Sequence, residues 1–316
     1  MRALVWNGAE LRLTERTAPA ATDGMAVVRV HLAGVCRTDL EIVKGYMGFT
    51  GVLGHEFVGT VAVGPDGWRD ERVVAEINFE CGACDTCLRG LGRHCPHRRV
   101  LGIEGADGAF AEYVAVPVRN LHRVPDGVAD EAAVFTEPLA AAFEIFEQIE
   151  IPAGKRVVVL GDGRLGLLVA QVLDRTGARV LLAGKHPAKL AIAAARGIET
   201  ALVGDGPPAP AGLVIEATGS IDGLRLALDV VEPRGTLVLK STIAGSPSVD
   251  LSPLVIKEIS LVGSRCGPFP PALSLLANEE VDVRPLVSAR LPLARADEAL
   301  RRASVPGALK VLIDAR

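Results

Sequence analysis

Four cysteines crowd one short stretch of this chain: Cys81, Cys84, Cys87 and Cys95. Four thiolates suit tetrahedral zinc, and a closed four-sulfur shell leaves no position for substrate, so the expected role is to staple a loop. In a reducing compartment such a cluster reads as metal binding before it reads as disulfides. His94 and His97 flank Cys95, but the sulfur set is complete without them. A second group is scattered: Cys36 in Gly34-Val35-Cys36-Arg37-Thr38-Asp39, the pair His55-Glu56 after Gly54, and Glu137 ahead of Pro138-Leu139-Ala140. Together these supply one thiolate, one imidazole and two carboxylates, all of them zinc ligands. Taken singly, a cysteine is also an ordinary small buried residue and a His-Glu pair an ordinary surface one. The residues alone leave both readings open.

A third signal is Gly161-Asp162-Gly163-Arg164-Leu165-Gly166, which fits G-x-G-x-x-G directly after a β-branched run. The first glycine makes a tight turn, the second admits a pyrophosphate, and the third lets helix pack on strand. The helix start then offers free amides and positive dipole to phosphates. An acid roughly 20 positions beyond would bind the ribose 2′-hydroxyl of NAD and repel a 2′-phosphate. Here the second strand ends Leu182-Ala183-Gly184-Lys185-His186 with no acid. Gly184 leaves room, while Lys185, His186 and Lys189 bring positive charge, so NADP is expected over NAD.

These residues need a scaffold, and the texture of the chain predicts two domains. Residues 1–137 show short β-type runs, Ala26–Val30, Val58–Val63 and Tyr113–Val116, punctuated by Pro-Asp-Gly turns. That texture predicts a β-rich barrel-like domain, with the cysteine lobe at 81–95 inside it. From Pro138 to residue 266, strands at Val157–Leu160, Val180–Leu182, Leu213–Ile215, Thr236–Leu239 and Ile259–Val262 alternate with helical periodicity. That is the pattern of a doubly wound parallel α/β sheet. Leu165, Leu168, Val169, Val172 and Leu173 predict one buried helix face, closed by Gly177. Three prolines between Gly204 and Pro210 predict a plain loop where a crossover helix usually lies. The tail from residue 267, ending in the strand-like Leu309–Ile313, is expected to rejoin the first domain.

Composition narrows the partners. A net charge of −4 provides no basic excess for nucleic acid or anionic membrane. No apolar run approaches the roughly 20 residues that span a bilayer, and Met1–Gly8 lacks a secretory pattern. A cytoplasmic location is expected.

In their order, the Gly-His-Glu motif, the cysteine lobe and the glycine loop resemble the zinc-containing medium-chain dehydrogenases across essentially the whole chain. The sorbitol, threonine and glucose dehydrogenases are the nearest in flavour, because Glu137 stands in Glu-Pro-Leu-Ala where other members carry a cysteine. The resemblance implies a GroES-like barrel domain, a Rossmann domain, two zinc ions per chain and a homodimer or homotetramer. It also implies a catalytic zinc at Cys36, His55 and Glu56, with Glu137 as an exchangeable or water-bridged fourth ligand. Thr38 matches the hydroxyl that relays the alcohol proton, Asp39 the acid that orients the ligand histidine, and Arg37 and Arg265 positions that approach the cofactor. Cys266 is expected to be packed, not a ligand. Ile42, Tyr46, Phe49 and Phe110 are candidates either for the substrate pocket or for the core.

The activity implied is hydride transfer between an alcohol or polyol, or its carbonyl, and NAD(P). Two alternatives are a zinc-free enone or quinone reductase on the same scaffold, and a non-enzymatic NADPH-binding protein. Metal content discriminates the first, and turnover the second.

Overall fold

Strands rich in valine and alanine and buried along most of their length belong at the centre of a sheet, where both faces are covered. The segment Met25–Gly34 is such a strand. It runs antiparallel to Glu56–Val63 on one side and to Tyr113–Pro117 and Lys310–Asp314 on the other. The last of these pairs in parallel with Val287–Pro292, so the C-terminal tail completes the N-terminal sheet. The computed structural model describes residues 1–22, 24–243 and 248–316. The chain divides into two compact units: Met1–Glu137 together with Phe269–Arg316, and Pro138–Pro268.

The first unit is the β-rich one. Beside its seven-stranded sheet lie two three-stranded sheets. One of them, formed by Asn78–Phe79, Arg99–Leu101 and Gly105–Ala106, brackets the cysteine lobe. Phe110 and Phe135 are fully buried in this unit, among the largest side chains of its core.

The second unit holds a six-stranded parallel sheet. Across it lie Glu199–Leu202, Arg179–Gly184, Arg156–Leu160, Ala211–Glu216, Val231–Leu239 and Ser260–Gly263. Counted along the chain this is the order 3-2-1-4-5-6, the doubly wound arrangement whose strand order reverses between the first and fourth strands. The sequence predicts only five of these strands. Glu199–Leu202 was missed because it is a short edge strand with an exposed glutamate and half-buried neighbours, not an apolar run. The helix Arg164–Asp174 is buried on all sides from Gly166 to Leu173, instead of along the single face expected, and Leu165 is only half-buried. The proline-rich crossover holds one 3-10 turn at Val203–Asp205 and no helix, as its prolines require. Among the described residues no helix is long and apolar enough to cross a membrane.

Candidate active site

The scattered ligands of the first unit converge. Cys36 sits immediately before the helix Arg37–Ile42, and His55 and Glu56 stand at the start of the strand Glu56–Val63. Their ligand atoms all lie within 4.8 Å of one another. Gly54 makes this possible. Its φ of +95° favours glycine, and a Cβ there would lie 2.3 Å from the Phe110 ring.

Asp39 ties two of the three ligands together. Its Oδ2 accepts the Cys36 N–H at 2.7 Å, and its Oδ1 lies 3.3 Å from Nδ1 of His55. The second approach is off the line of a hydrogen bond, so both atoms are left without one although both residues are nearly inaccessible. Burial pulls the His55 pKa down, but the charges of Asp39 and Cys36 outweigh it and hold it well above the usual value. A pocket that gathers a thiol, an imidazole and a buried carboxylate within 4.8 Å calls for a cation. The donor set of sulfur, nitrogen and oxygen fits zinc. Thr38 Oγ1 lies 3.7 Å from Cys36 Sγ, half-buried at the edge of the cluster.

Glu56 has a partner that sequence reading missed. Lys310 Nζ forms an ion pair with Glu56 Oε2, and each side chain is 1% exposed. The two residues stand on the strands that flank Met25–Gly34, and they meet across Gly34, where a Cβ would lie 2.5 Å from Glu56 Oε2. The ammonium also lies 5.6 Å from the Phe135 ring centroid. The signal was available: Lys310 is a single charge inside the apolar run Ala308–Ile313. Glu137 does not join the gathered ligand atoms. The helix Thr136–Phe143 sets its position, and the strands that bring the other three together do not.

The cysteine lobe assembles as its spacing predicts. The sulfurs of Cys81, Cys84, Cys87 and Cys95 stand 3.5 to 3.9 Å apart across four edges. A tetrahedron with Zn–S bonds of about 2.3 Å has edges of about 3.8 Å. Amide N–H groups of Ala83 and Cys84 lower the Cys81 pKa to about 6, whereas desolvation and the neighbouring thiols push Cys87 up to about 12. The four sulfurs compete for charge, and a zinc ion would resolve that competition.

In the second unit the glycine loop fits a dinucleotide. Gly161 adopts φ +116° with a Cβ position 2.7 Å from the Ala217 carbonyl oxygen, at the reversal of strand order. A Cβ on Gly166 would sit 1.8 Å from the Gly161 carbonyl oxygen, whereas one on Gly163 would meet nothing within 4 Å. Two glycines therefore serve packing, and the second keeps a cradle open. Gly163 is also the N-cap of the helix Arg164–Asp174 and makes no side-chain cap, which leaves its amides for phosphate.

One expectation needs correction. Gly184 does not leave free room: the Asp162 side chain fills it, 2.5 Å from where a Cβ would be. Arg37 is exposed and paired with Glu41 at 2.8 Å. Lys185, His186 and Arg265 are exposed, Lys189 and Arg164 half-buried. Ile42, Phe49 and Phe110 are core, while Tyr46 is 47% exposed. Cys266 is half-buried and lies outside both metal clusters.

Comparison with known proteins agrees with this geometry. Residues 22–126 match the model of the alcohol dehydrogenase GroES-like domain, and residues 165–278 that of the zinc-binding dehydrogenase. A sorbitol dehydrogenase of Halalkalibacterium halodurans is 31% identical over 95% of this chain and 94% of its own. The chain belongs to the zinc-containing medium-chain dehydrogenases. It is an NAD(P)-dependent oxidoreductase of the alcohol and polyol class. Two solved structures are similar at 26% identity. A zinc-binding dehydrogenase from Sinorhizobium meliloti 1021 bound to NADP has a TM-score of 0.91, covering 99% of this chain and 98% of that one. An alcohol dehydrogenase, rspB, from E. coli CFT073 complexed with NADH has a TM-score of 0.90, covering 99% of each.

Proposed function

We propose that the chain oxidises a polyol at a zinc held by Cys36, His55 and Glu56, passing hydride to NAD(P), with NADP favoured, or runs the reverse reduction. The observation that carries this reading is the convergence of those three ligand atoms within 4.8 Å, with the Thr38 hydroxyl beside them. When bound, the zinc supplies Lewis acidity to a substrate oxygen and the nicotinamide accepts the hydride. The side chains do the rest. Asp39 holds the Cys36 amide and faces Nδ1 of His55, so the imidazole presents its other nitrogen to the metal. Lys310 balances Glu56, which keeps a second anionic ligand in a buried site. Thr38 takes the proton from the substrate hydroxyl and passes it outward. The four-cysteine lobe holds a second zinc in a structural role.

A vicinal diol can chelate an oxygen-friendly metal through two hydroxyls, which favours polyols over simple alcohols. The sorbitol activity of the relative from H. halodurans supports that choice. For NADP the support is the cationic end of Arg179–Gly184, with Lys185, His186 and Lys189, and the NADP-bound S. meliloti structure. The protein is cytoplasmic in this reading and assembles as a homodimer or homotetramer. Ser260–Gly263 is an edge strand, and Leu251, Val255, Ile256 and Leu261 are exposed around it, which supports a second copy as the cover.

The test is a panel of polyols and matched mono-alcohols with NAD and NADP, run on protein of measured zinc content. Two zinc ions per chain and a higher kcat/KM for a diol than for its mono-alcohol analogue are expected. Equal specificity constants reject the polyol choice, and one zinc per chain without loss of turnover rejects the catalytic metal.

A further inference from the structure

The adenosine end of the dinucleotide site departs from the usual plan of this fold. The usual acid stands at the end of the second strand and accepts the ribose 2′-hydroxyl. Here that strand, Arg179–Gly184, ends on glycine. The structure nevertheless places a carboxylate at that strand end, and it comes from the loop after the neighbouring parallel strand, Arg156–Leu160. Asp162, the second residue of the glycine loop, is 6% exposed. Its Oδ2 accepts the N–H of Lys185 at 2.7 Å and of His186 at 2.6 Å. Nδ1 of His186 lies 3.0 Å from each carboxylate oxygen. A Cβ at Gly184 would stand 2.5 Å from the Asp162 Cβ and 2.5 Å from its Oδ2. The bare strand end is what admits the loop's acid.

We propose that Asp162 is the specificity-determining residue of the cofactor site: it accepts the ribose 2′-hydroxyl in place of the missing strand-end acid, and so lets the chain use NAD alongside NADP. This rests on the dinucleotide reading of the same loop. The two carboxylate oxygens are loaded unequally. Among the described residues Oδ2 meets two backbone N–H groups and the imidazole, whereas Oδ1 meets the imidazole alone of these, so Oδ1 keeps acceptor capacity for a hydroxyl. Charge divides the cofactors in the same sense. Lys185, His186 and Lys189 attract a 2′-phosphate, while Asp162 repels it and turns one face of His186 toward itself. The sequence suggests a purely cationic pocket. The fold adds one acid to it, and that acid opposes NADP exclusivity.

Asp162→Asn separates this role from a structural one. The amide keeps a carbonyl oxygen for the two backbone N–H groups and removes the charge. Dissociation constants of NADH and NADPH, read from nicotinamide fluorescence on zinc-loaded protein, are compared with those of the unmodified chain. NADH is expected to weaken about tenfold or more, the loss of one hydrogen bond to a charged group. NADPH binds unchanged or tighter, so selectivity moves toward NADPH by at least that factor. Asp162→Ser provides the same comparison should the asparagine variant fold poorly. Unchanged NADH binding overturns the assignment, and so does equal weakening of both cofactors, which reduces Asp162 to a brace for the turn. An unmodified chain that binds neither NADH nor NADPH overturns the dinucleotide reading, and this assignment with it.

Discussion

The two metal clusters of the first unit are built on opposite plans. The cysteine lobe draws its ligands from residues 81 to 95, and only Cys95 of the four is buried. The Cys36 cluster takes its ligands from a helix start and a strand start, with His55 and Glu56 buried. Its supporting residues reach further, since Lys310 lies 254 positions from Glu56. A local cluster can be shaped by the loop that carries it and by the ion itself. A dispersed one needs a finished core to hold it, and its charged groups must be balanced by other buried groups. The first plan suits a staple and the second suits chemistry, where ligands must be rigid and water kept out.

Substitutions test that contrast. Cys36→Ser should remove one zinc per chain and lower kcat/KM by more than about 100-fold, since loss of even an outer partner of a metal ligand costs about 10- to 100-fold. Retained turnover with one zinc lost would reassign the chemistry. Lys310→Met should cost about 3–5 kcal/mol in denaturant unfolding of metal-free protein, because it strands a buried carboxylate. Adding Glu56→Gln should recover part of that loss, and a double variant no more stable than the single one would deny the pairing. Asp39→Asn should lower zinc affinity or kcat/KM by about 10- to 100-fold with the fold intact by circular dichroism. Cys95→Ser should have the smallest effect on turnover: one zinc lost, a lower Tm, and kcat within about threefold if the lobe is only a staple. A hundredfold fall in kcat for the folded variant would erase the division of labour.

The two clusters were also unequally visible beforehand. Cys81, Cys84, Cys87 and Cys95 declare themselves, because short spacing forces proximity whatever surrounds them. The glycine loop is legible for the same reason: Gly161, Gly163 and Gly166 act within two turns of chain. Cys36, His55 and Glu56 became a site only through a family pattern, and the structure then gathered their ligand atoms within 4.8 Å. Lys310 escaped notice because a lysine in a strand run has no meaning until the facing strand is known. The edge strand Glu199–Leu202 escaped because edge positions do not need an apolar run.

Local chemistry was thus settled by the chain itself: the sulfur lobe, the dinucleotide loop, the alternating strands and helices, and the helix-free crossover at Gly204–Pro210. These depend on contacts between near neighbours or on backbone limits such as proline's missing N–H. The tertiary structure decided what depends on distant partners. It set Lys310 against Glu56 across a bare Gly34, faced His55 toward Asp39, and filled the space at Gly184 with the carboxylate of Asp162. Each of these joins residues that separate strands or loops bring together, and no spacing in one segment encodes which side chain will arrive from another.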